Sequence, residues 1–302
     1  MPNITILNRY RGCLIGGAIG DTILLRSPHM SATKWNSNTA LTMGTVNSIL
    51  NVKDIKDRGL DPQRVARHLL KSFDDKMHTD LTTRAAINNL SQPNDCPESW
   101  WSRSGVDKPW AEEAGNGAAA RISPIALFSY GNVKHLRQNV SFIAQITHKN
   151  QESINGALAV AFMIASIING RFDRNEILDQ TIDYIDPSKM ADKIAQVKEL
   201  LQDPDLETQK ALEMIGITNS AFDTVGSSFY IFLKHIQTFE SPIIMALTHN
   251  KGNRAIPSIV GNISGAYHGD KGIFPQWKDA VIFGKDILSS ADKLYYFCHG
   301  IE

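Results

Sequence analysis

The stretch Gly115-Asn116-Gly117-Ala118-Ala119-Ala120-Arg121-Ile122-Ser123-Pro124 decides how this chain is read. Two glycines flank an asparagine, alanines follow, and an arginine stands before Ile122 and Pro124. Glycine permits close backbone approach and positive φ, as an anion cradle requires. The same glycines would also serve a tight connection between two helices. Asn116 suits a ligand contact or a turn equally.

Outward from this stretch, helical periodicity dominates. Toward the N-terminus, Arg9 to Leu25 carries Gly12, Gly16 and Gly20 four residues apart, on one stripe of a helix. Glycine weakens a helix in water by about 1 kcal/mol, so such a stripe needs a packing or ligand reason. Thr39 to Leu50 reads as a second helix, and Gln63 to Phe73 as a third with Val65, Leu69 and Phe73 on one face. Toward the C-terminus, Asn150 is placed to cap a helix running through Ala157 to Ile168. Lys189 to Gln202 is amphipathic. Asp205 opens a helix toward Ile215, Phe222 to Phe239 is apolar and ends before Pro242, and Ile256 to Tyr267 repeats the small-residue stripe with Gly261 and Gly265. No run alternates as a strand does, and no hairpin dipeptide stands between β-branched runs. Loops are expected at Leu25 to Asn36, Ser91 to Ile122, Asp203 to Asp205 and Thr248 to Pro257. The second is long for a compact domain and holds Trp100, Trp101 and Trp110. No linker-like shift in composition occurs, so 1–302 reads as one domain.

The 302 residues are 42% hydrophobic, with Lys+Arg 31 against Asp+Glu 31. This balance lacks the basic field of a general nucleic-acid binder, so no nucleic-acid partner is expected. Cys13, Cys96 and Cys298 form no zinc spacing and suggest no disulfide framework. The N-terminus has no basic region followed by an apolar core. A reducing, cytoplasmic setting is expected. Ala157 to Ile168 is shorter than a bilayer span and contains Ser166, which points to a buried helix and no membrane partner.

Four segments, in order, resemble the ADP-ribosylglycohydrolase family. Arg11-Gly12-Cys13-Leu14-Ile15-Gly16-Gly17-Ala18-Ile19-Gly20-Asp21 is similar to the family's opening helix, which ends in Gly-Asp. Gly115 to Pro124 is close to the family's Gly-Asn-Gly-Ala-Ala-Met-Arg-Ile-Ala-Pro. Thr147-His148 precedes a long apolar helix. Gly261-Asn262-Ile263-Ser264-Gly265-Ala266-Tyr267-His268-Gly269, with Pro275 and Trp277 beyond, resembles the family's last small-residue helix. The resemblance implies an all-α fold, a single compact orthogonal helical bundle with its active cleft at one end. It further implies that Gly115, Asn116, Gly117 and Ala118 cup ADP-ribose, that His148 lies beside the nucleotide, and that Asp21 supports a metal site from behind. From the residues alone, His148 also fits a capping or core histidine, and Asp21 a structural role at its helix end.

The chain departs from the family where metals are held. Family members bind two magnesium ions through Thr-Asp-Asp-Thr and Asp-x-Asp-Thr. The first motif falls on Asn36-Ser37-Asn38-Thr39 and the second on Gly252-Asn253-Arg254-Ala255. Ser37, Asn38, Gly252 and Arg254 stand at the four Asp positions. Neither Thr22 to His29 nor Leu247 to Asn262 contains an acidic residue. Magnesium is a hard cation held through carboxylates, waters and substrate oxygens. An arginine at 4 Å would repel a monovalent charge by roughly 4 kcal/mol at intermediate effective dielectric. The expectation is therefore no metal and no other cofactor. Arg254 suits bidentate binding of a phosphate or carboxylate, or simply faces solvent.

The resulting expectation is a catalytically degenerate protein, a pseudoenzyme that binds ADP-ribose, a related nucleotide or an ADP-ribosylated protein without metal-dependent hydrolysis. One alternative is a protein-interaction module of immunity or effector type, meeting a toxin-like partner through the tryptophans. Another is a metal-independent ADP-ribosyl hydrolase using His148, Asp21 or Glu112 as acid or base. Cys298-His299 could be a thiol–base pair, but adjacent residues seldom face each other.

Overall fold

The computed structural model describes residues 4–26, 29–32, 35–51, 60–77, 79–92 and 114–300, with backbone alone at 24–26 and 29–32. Trp100, Trp101, Trp110, Cys96 and Glu112 lie outside these residues. Sixteen α-helices run among the described residues: α1 (Ile6–Thr22), α2 (Ser37–Leu50), α3 (Pro62–Ser72), α4 (Leu81–Ser91), α5 (Gly117–Ala120), α6 (Ser123–Ser129), α7 (Val133–Gln145), α8 (Gln151–Ile168), α9 (Ile177–Tyr184), α10 (Lys189–Leu200), α11 (Thr208–Ile215), α12 (Ala221–Lys234), α13 (Glu240–His249), α14 (Ala255–His268), α15 (Pro275–Asp279) and α16 (Gly284–His299). The fold is all-α, as the periodicity requires.

One small departure follows α1. Ile23–Arg26 (β1) and His29–Ala32 (β2) form an antiparallel pair, Ile23 opposite Ala32 and Arg26 opposite His29. The helix expected to reach Leu25 thus ends at Thr22, and the segment expected to be loop contains a hairpin. An apolar triplet such as Ile23-Leu24-Leu25 lacks alternation, so periodicity could not mark it as a strand.

The two small-residue helices form the centre. A Cβ on Gly16 would lie 2.3 Å from the Gly261 carbonyl oxygen, and one on Gly261 would lie 2.1 Å from the Gly16 carbonyl oxygen. The backbones of α1 and α14 therefore touch, and the stripe of Gly12, Gly16 and Gly20 has its packing reason. Arg9 is buried at this seam and donates through Nη1 to the carbonyls of Ala266 and Tyr267 at 2.9 and 3.0 Å, near the C-terminus of α14. A cation there satisfies carbonyls that the helix itself leaves open.

α8 crosses the core. Asn150 caps it by accepting the Glu152 N–H at 2.8 Å. Its 18 residues are long and apolar enough to cross a membrane, yet 83% of that window is buried inside the bundle. Leu158, Met163, Ile164 and Ile167 are all essentially inaccessible. Each such side chain contributes about 1.5–3 kcal/mol on burial. The helix expected over Phe222 to Phe239 ends at Lys234. Pro242 sits in the first turn of α13, where no intrahelical donor is needed. α5 forms inside the stretch expected to be loop through Ile122.

Candidate functional site

The end of α1 meets the start of α2. Asp21 is buried, and its Oδ2 accepts the Thr39 N–H at 3.0 Å and the Thr39 hydroxyl at 2.7 Å. Its Oδ1 accepts from Asn38 Nδ2 at 3.2 Å. Asn36 occupies the N-cap of α2 but makes no side-chain cap; its Nδ2 donates to the Asp21 carbonyl at 3.2 Å. Asp21 therefore caps α2 from a neighbouring helix, placing an anion where the helix dipole favours one. Burial raises the Asp21 carboxyl above its ordinary range, while the Thr39 hydroxyl and amide, the charge of Arg254 and the Asn38 amide oppose the rise. Ser37 is buried beside it in the first turn of α2.

The second motif starts α14. Gly252 is exposed at φ +91°, a left-handed conformation that suits glycine. Asn253 is buried, its Oδ1 accepting the Ala255 N–H at 3.1 Å and its Nδ2 donating to the Thr218 carbonyl and to Thr224 Oγ1, each at 2.8 Å. Arg254 is half-buried at the N-cap position, and Ala255 is buried as the first helical residue. A Cβ on Gly20 would stand 1.8 Å from the Pro257 carbonyl oxygen, so the last turn of α1 lies directly on the first turn of α14. Asp21 and Arg254 are thereby brought to one place.

The glycine loop completes the group. Gly115 bridges to Ser220, the N-cap of α12, and the Ala221 N–H donates to the Ala114 carbonyl at 2.5 Å. Asn116 is buried and donates through Nδ2 to Thr224 Oγ1 at 3.0 Å and to Asn253 Oδ1 at 3.2 Å. One carboxamide thus ties the loop to the second motif. Ala118 is buried in α5. On the other side of the loop lie Asp80, Thr83 and His148. A Cβ on Gly117 would meet Asp80 Oδ2 and Thr83 Oγ1, both at 2.4 Å, and one on Gly115 would meet His148 Nε2 at 2.8 Å. These side chains give both glycines a packing reason in the protein itself.

His148 is buried and follows Thr147, whose Oγ1 lies 2.7 Å from His148 Nδ1 and accepts from Arg121 Nη2 at 2.5 Å. With Arg121 on one lone pair, the Thr147 hydroxyl can donate to Nδ1, and in that tautomer the imidazole carries its own proton on Nε2. Nε2 faces Asp80 Oδ1 at 3.7 Å. Burial pushes the His148 imidazole below its ordinary pKa. Burial alone would raise the Asp80 carboxyl, but His148 and the Thr83 hydroxyl and amide outweigh it and hold the pKa at about 2. Burial thus favours the neutral imidazole, while its neighbours favour the ionised form of Asp80. Arg121 is buried, donates through Nη1 to the Gly117 carbonyl at 3.0 Å, and is pushed down to about 10 by burial, with Asp80 opposing.

Asp80 and Thr224 are the members that inspection of the sequence missed, and Asn253 was marked there only as the middle position of the second motif. Asp80 caps α4, accepting the Thr83 N–H at 2.8 Å, and an Asp at this position before a helix is a legible start signal. Its place beneath the glycine loop is set only by packing. The remaining candidate, Cys298-His299, does not pair: His299 Nε2 lies 3.0 Å from the Tyr130 hydroxyl and Nδ1 lies 2.7 Å from the Tyr295 carbonyl. Among the described residues, no group of three or more His, Cys, Asp and Glu gathers as metal ligands would.

Comparison with known proteins agrees with this architecture. An uncharacterized protein of Archaeoglobus fulgidus is 25% identical over 95% of this chain and 96% of its own length. The ADP-ribosylhydrolase ARH3 of Homo sapiens is 21% identical over 91% of this chain and 89% of its own. The ADP-ribosylarginine hydrolase Tri1 of Pseudomonas putida is 20% identical over 96% of this chain and 78% of its own. A solved structure, titled an ADP-ribosylglycohydrolase-related protein complex, superposes with a TM-score of 0.66 at 18% identity and covers 97% of both chains, which shows a shared fold. The family profile described as ADP-ribosylglycohydrolase matches residues 2–299, and the chain belongs to that family.

Proposed function

We propose that this protein binds ADP-ribose, or a related nucleotide free or attached to a protein, without metal-dependent hydrolysis. The observation that carries the proposal is the state of Asp21. It is the carboxylate beside the first motif, and it already accepts three hydrogen bonds from Thr39 and Asn38. Residues 22–50 and 241–269 contain no Asp or Glu. Two magnesium ions bring four positive charges, and neutral Ser37, Asn38 and Thr39 oxygens cannot offset them. The residues present do not fit a magnesium pair, and Arg254 adds positive charge where a ligand would be needed.

What supports nucleotide binding is the grouping of Gly115, Asn116, Gly117, Ala118 and His148, with the loop tied to the segment before Arg254 by the Asn116–Asn253 hydrogen bond. In this reading the backbone of the loop approaches the ligand, the imidazole Nε2–H or Asp80 contacts a ribose hydroxyl, and Arg254 faces the anionic part.

Melting with millimolar ADP-ribose tests the proposal, once in EDTA and once in magnesium. A ligand at a hundredfold its Kd stabilises by about 2.7 kcal/mol. An equal upward shift in both buffers is expected. No shift in either buffer overturns nucleotide binding, and a shift confined to magnesium overturns metal independence. A second reading, metal-independent turnover, has the ionised Asp80 beside His148 in its favour. Release of free ADP-ribose from ADP-ribosylated arginine or serine in EDTA would establish it.

A further inference from the structure

We infer that Arg254 is the resident cation of this site, a covalently tethered charge that stands opposite Asp21 in place of a bound metal. The inference rests on the reading above only in taking residues 36–39 and 252–255 as the former metal positions.

Three observations converge. Asp21 is buried and held entirely by neutral donors, the Thr39 amide and hydroxyl and the Asn38 amide. A carboxylate removed from water in this way needs a compensating positive charge, or its burial is costly. Second, the junction of α1 and α14 places that charge. Gly20 lies against the Pro257 carbonyl, so the residue after Gly20 and the residue one turn before Pro257 share the same end of the seam. Those residues are Asp21 and Arg254, and the Arg254 charge does favour the ionised form of Asp21. Third, Arg254 occupies the N-cap position of α14. A cation is disfavoured at a helix N-terminus, which carries partial positive charge of its own. An anion opposite it offsets that cost.

Among the described residues, no carboxylate oxygen lies within 4.0 Å of Arg254, so the pairing with Asp21 acts through space. A metal in the same position would offer its charge only when bound. Arg254 offers it permanently, so both the local fold and the attraction of an anion become independent of magnesium.

The test is a set of melting curves without any nucleotide, on the full chain. Arg254→Ala is expected to lower the melting temperature by roughly 2–4 °C in EDTA. Arg254→Lys, which keeps the charge, is expected to lose clearly less. In an Asp21→Asn background the further change Arg254→Ala should add almost nothing, because the charge it balances is gone. Magnesium should leave the wild-type curve where EDTA leaves it. Losses that simply add in the double variant, equal losses for Lys and Ala, or a wild type stabilised by magnesium would each overturn the inference. Should Asp21→Asn fail to fold, the Lys and Ala comparison decides by itself. None of these curves contains ADP-ribose, so a failure to bind nucleotide and a failure of the Asp21–Arg254 pairing are separately visible.

Discussion

Asn116 donates from Nδ2 to Oδ1 of Asn253 at 3.2 Å, joining the glycine loop to the segment that opens α14. Both carboxamides also reach Thr224 Oγ1, at 3.0 and 2.8 Å. The site is thus held by a buried neutral network. Such a network is strong when every member is satisfied and weak when one is removed.

Asn253→Ala removes an acceptor for Ala255 and Asn116 and a donor to Thr218 and Thr224. Leaving these buried groups unpaired costs about 1–3 kcal/mol. Asn116→Ala should cost less, since only its Nδ2 bonds are lost. The pair Asn116→Ala/Asn253→Ala should be less destabilised than the sum, because both residues share one bond and one partner. Urea unfolding of the three variants measures this.

Gly117→Ala introduces a methyl 2.4 Å from Asp80 Oδ2 and Thr83 Oγ1. Overpacking of this kind costs typically 1–3 kcal/mol. The loop must move away from Asp80 and His148, so ADP-ribose affinity should fall together with stability. Titration calorimetry beside thermal melting checks both. Affinity unchanged in a destabilised protein would show that the loop does not contact the ligand.

Arg121→Met removes a buried guanidinium that holds the Gly117 carbonyl and the Thr147 hydroxyl. The buried Gly117 carbonyl and Thr147 hydroxyl then lose their donor, which costs about 1–3 kcal/mol. The His148 ring also loses the arrangement that directs its proton to Nε2. The tautomer is readable in the imidazole nitrogen chemical shifts of the variant.

Stability should decline on mild acidification because of His268. Burial pushes its imidazole down to about 4, the charge of Arg9 adds to that, and a hydrogen bond to the Ile236 backbone opposes it. The folded state refuses a proton that the unfolded chain takes up near its ordinary pKa of about 6.5. The stabilising effect is therefore intact above about pH 6.5 and is lost progressively down to about pH 4, by up to about 3 kcal/mol. His268→Gln should flatten this part of the curve of unfolding free energy against pH.

Much of the fold was legible in the sequence because its signals are local. The stripe of Gly12, Gly16 and Gly20 on one helix and of Gly261 and Gly265 on another announced two helices needing a close partner. The structure sets them against each other at backbone contact. The Asn150 cap and the apolar run after it marked α8. The hairpin of Ile23–Arg26 and His29–Ala32 was not legible, since the apolar triplet lacks a period and no hairpin dipeptide marks the turn. α13 was also missed: Pro242 reads as a stop, yet a helix start tolerates it equally well.

The sequence by itself determined the family, through the motif Gly115 to Pro124, and raised the expectation of lost metal acids, through the neutral or basic residues at 37, 38, 252 and 254. These are matters of residue type and order, which a chain displays without being folded. Only the tertiary structure decided what each surviving residue touches. Asp21 turned out to cap α2 rather than α1's own end, Asn116 to bind Asn253, and Asp80, unremarked in the sequence, to lie beneath Gly117 beside His148. The reason is that hydrogen bonds and charge act over a few ångströms. Residues 18, 137 and 68 positions apart reach that range only when the α1–α14 seam and the core around α8 have closed.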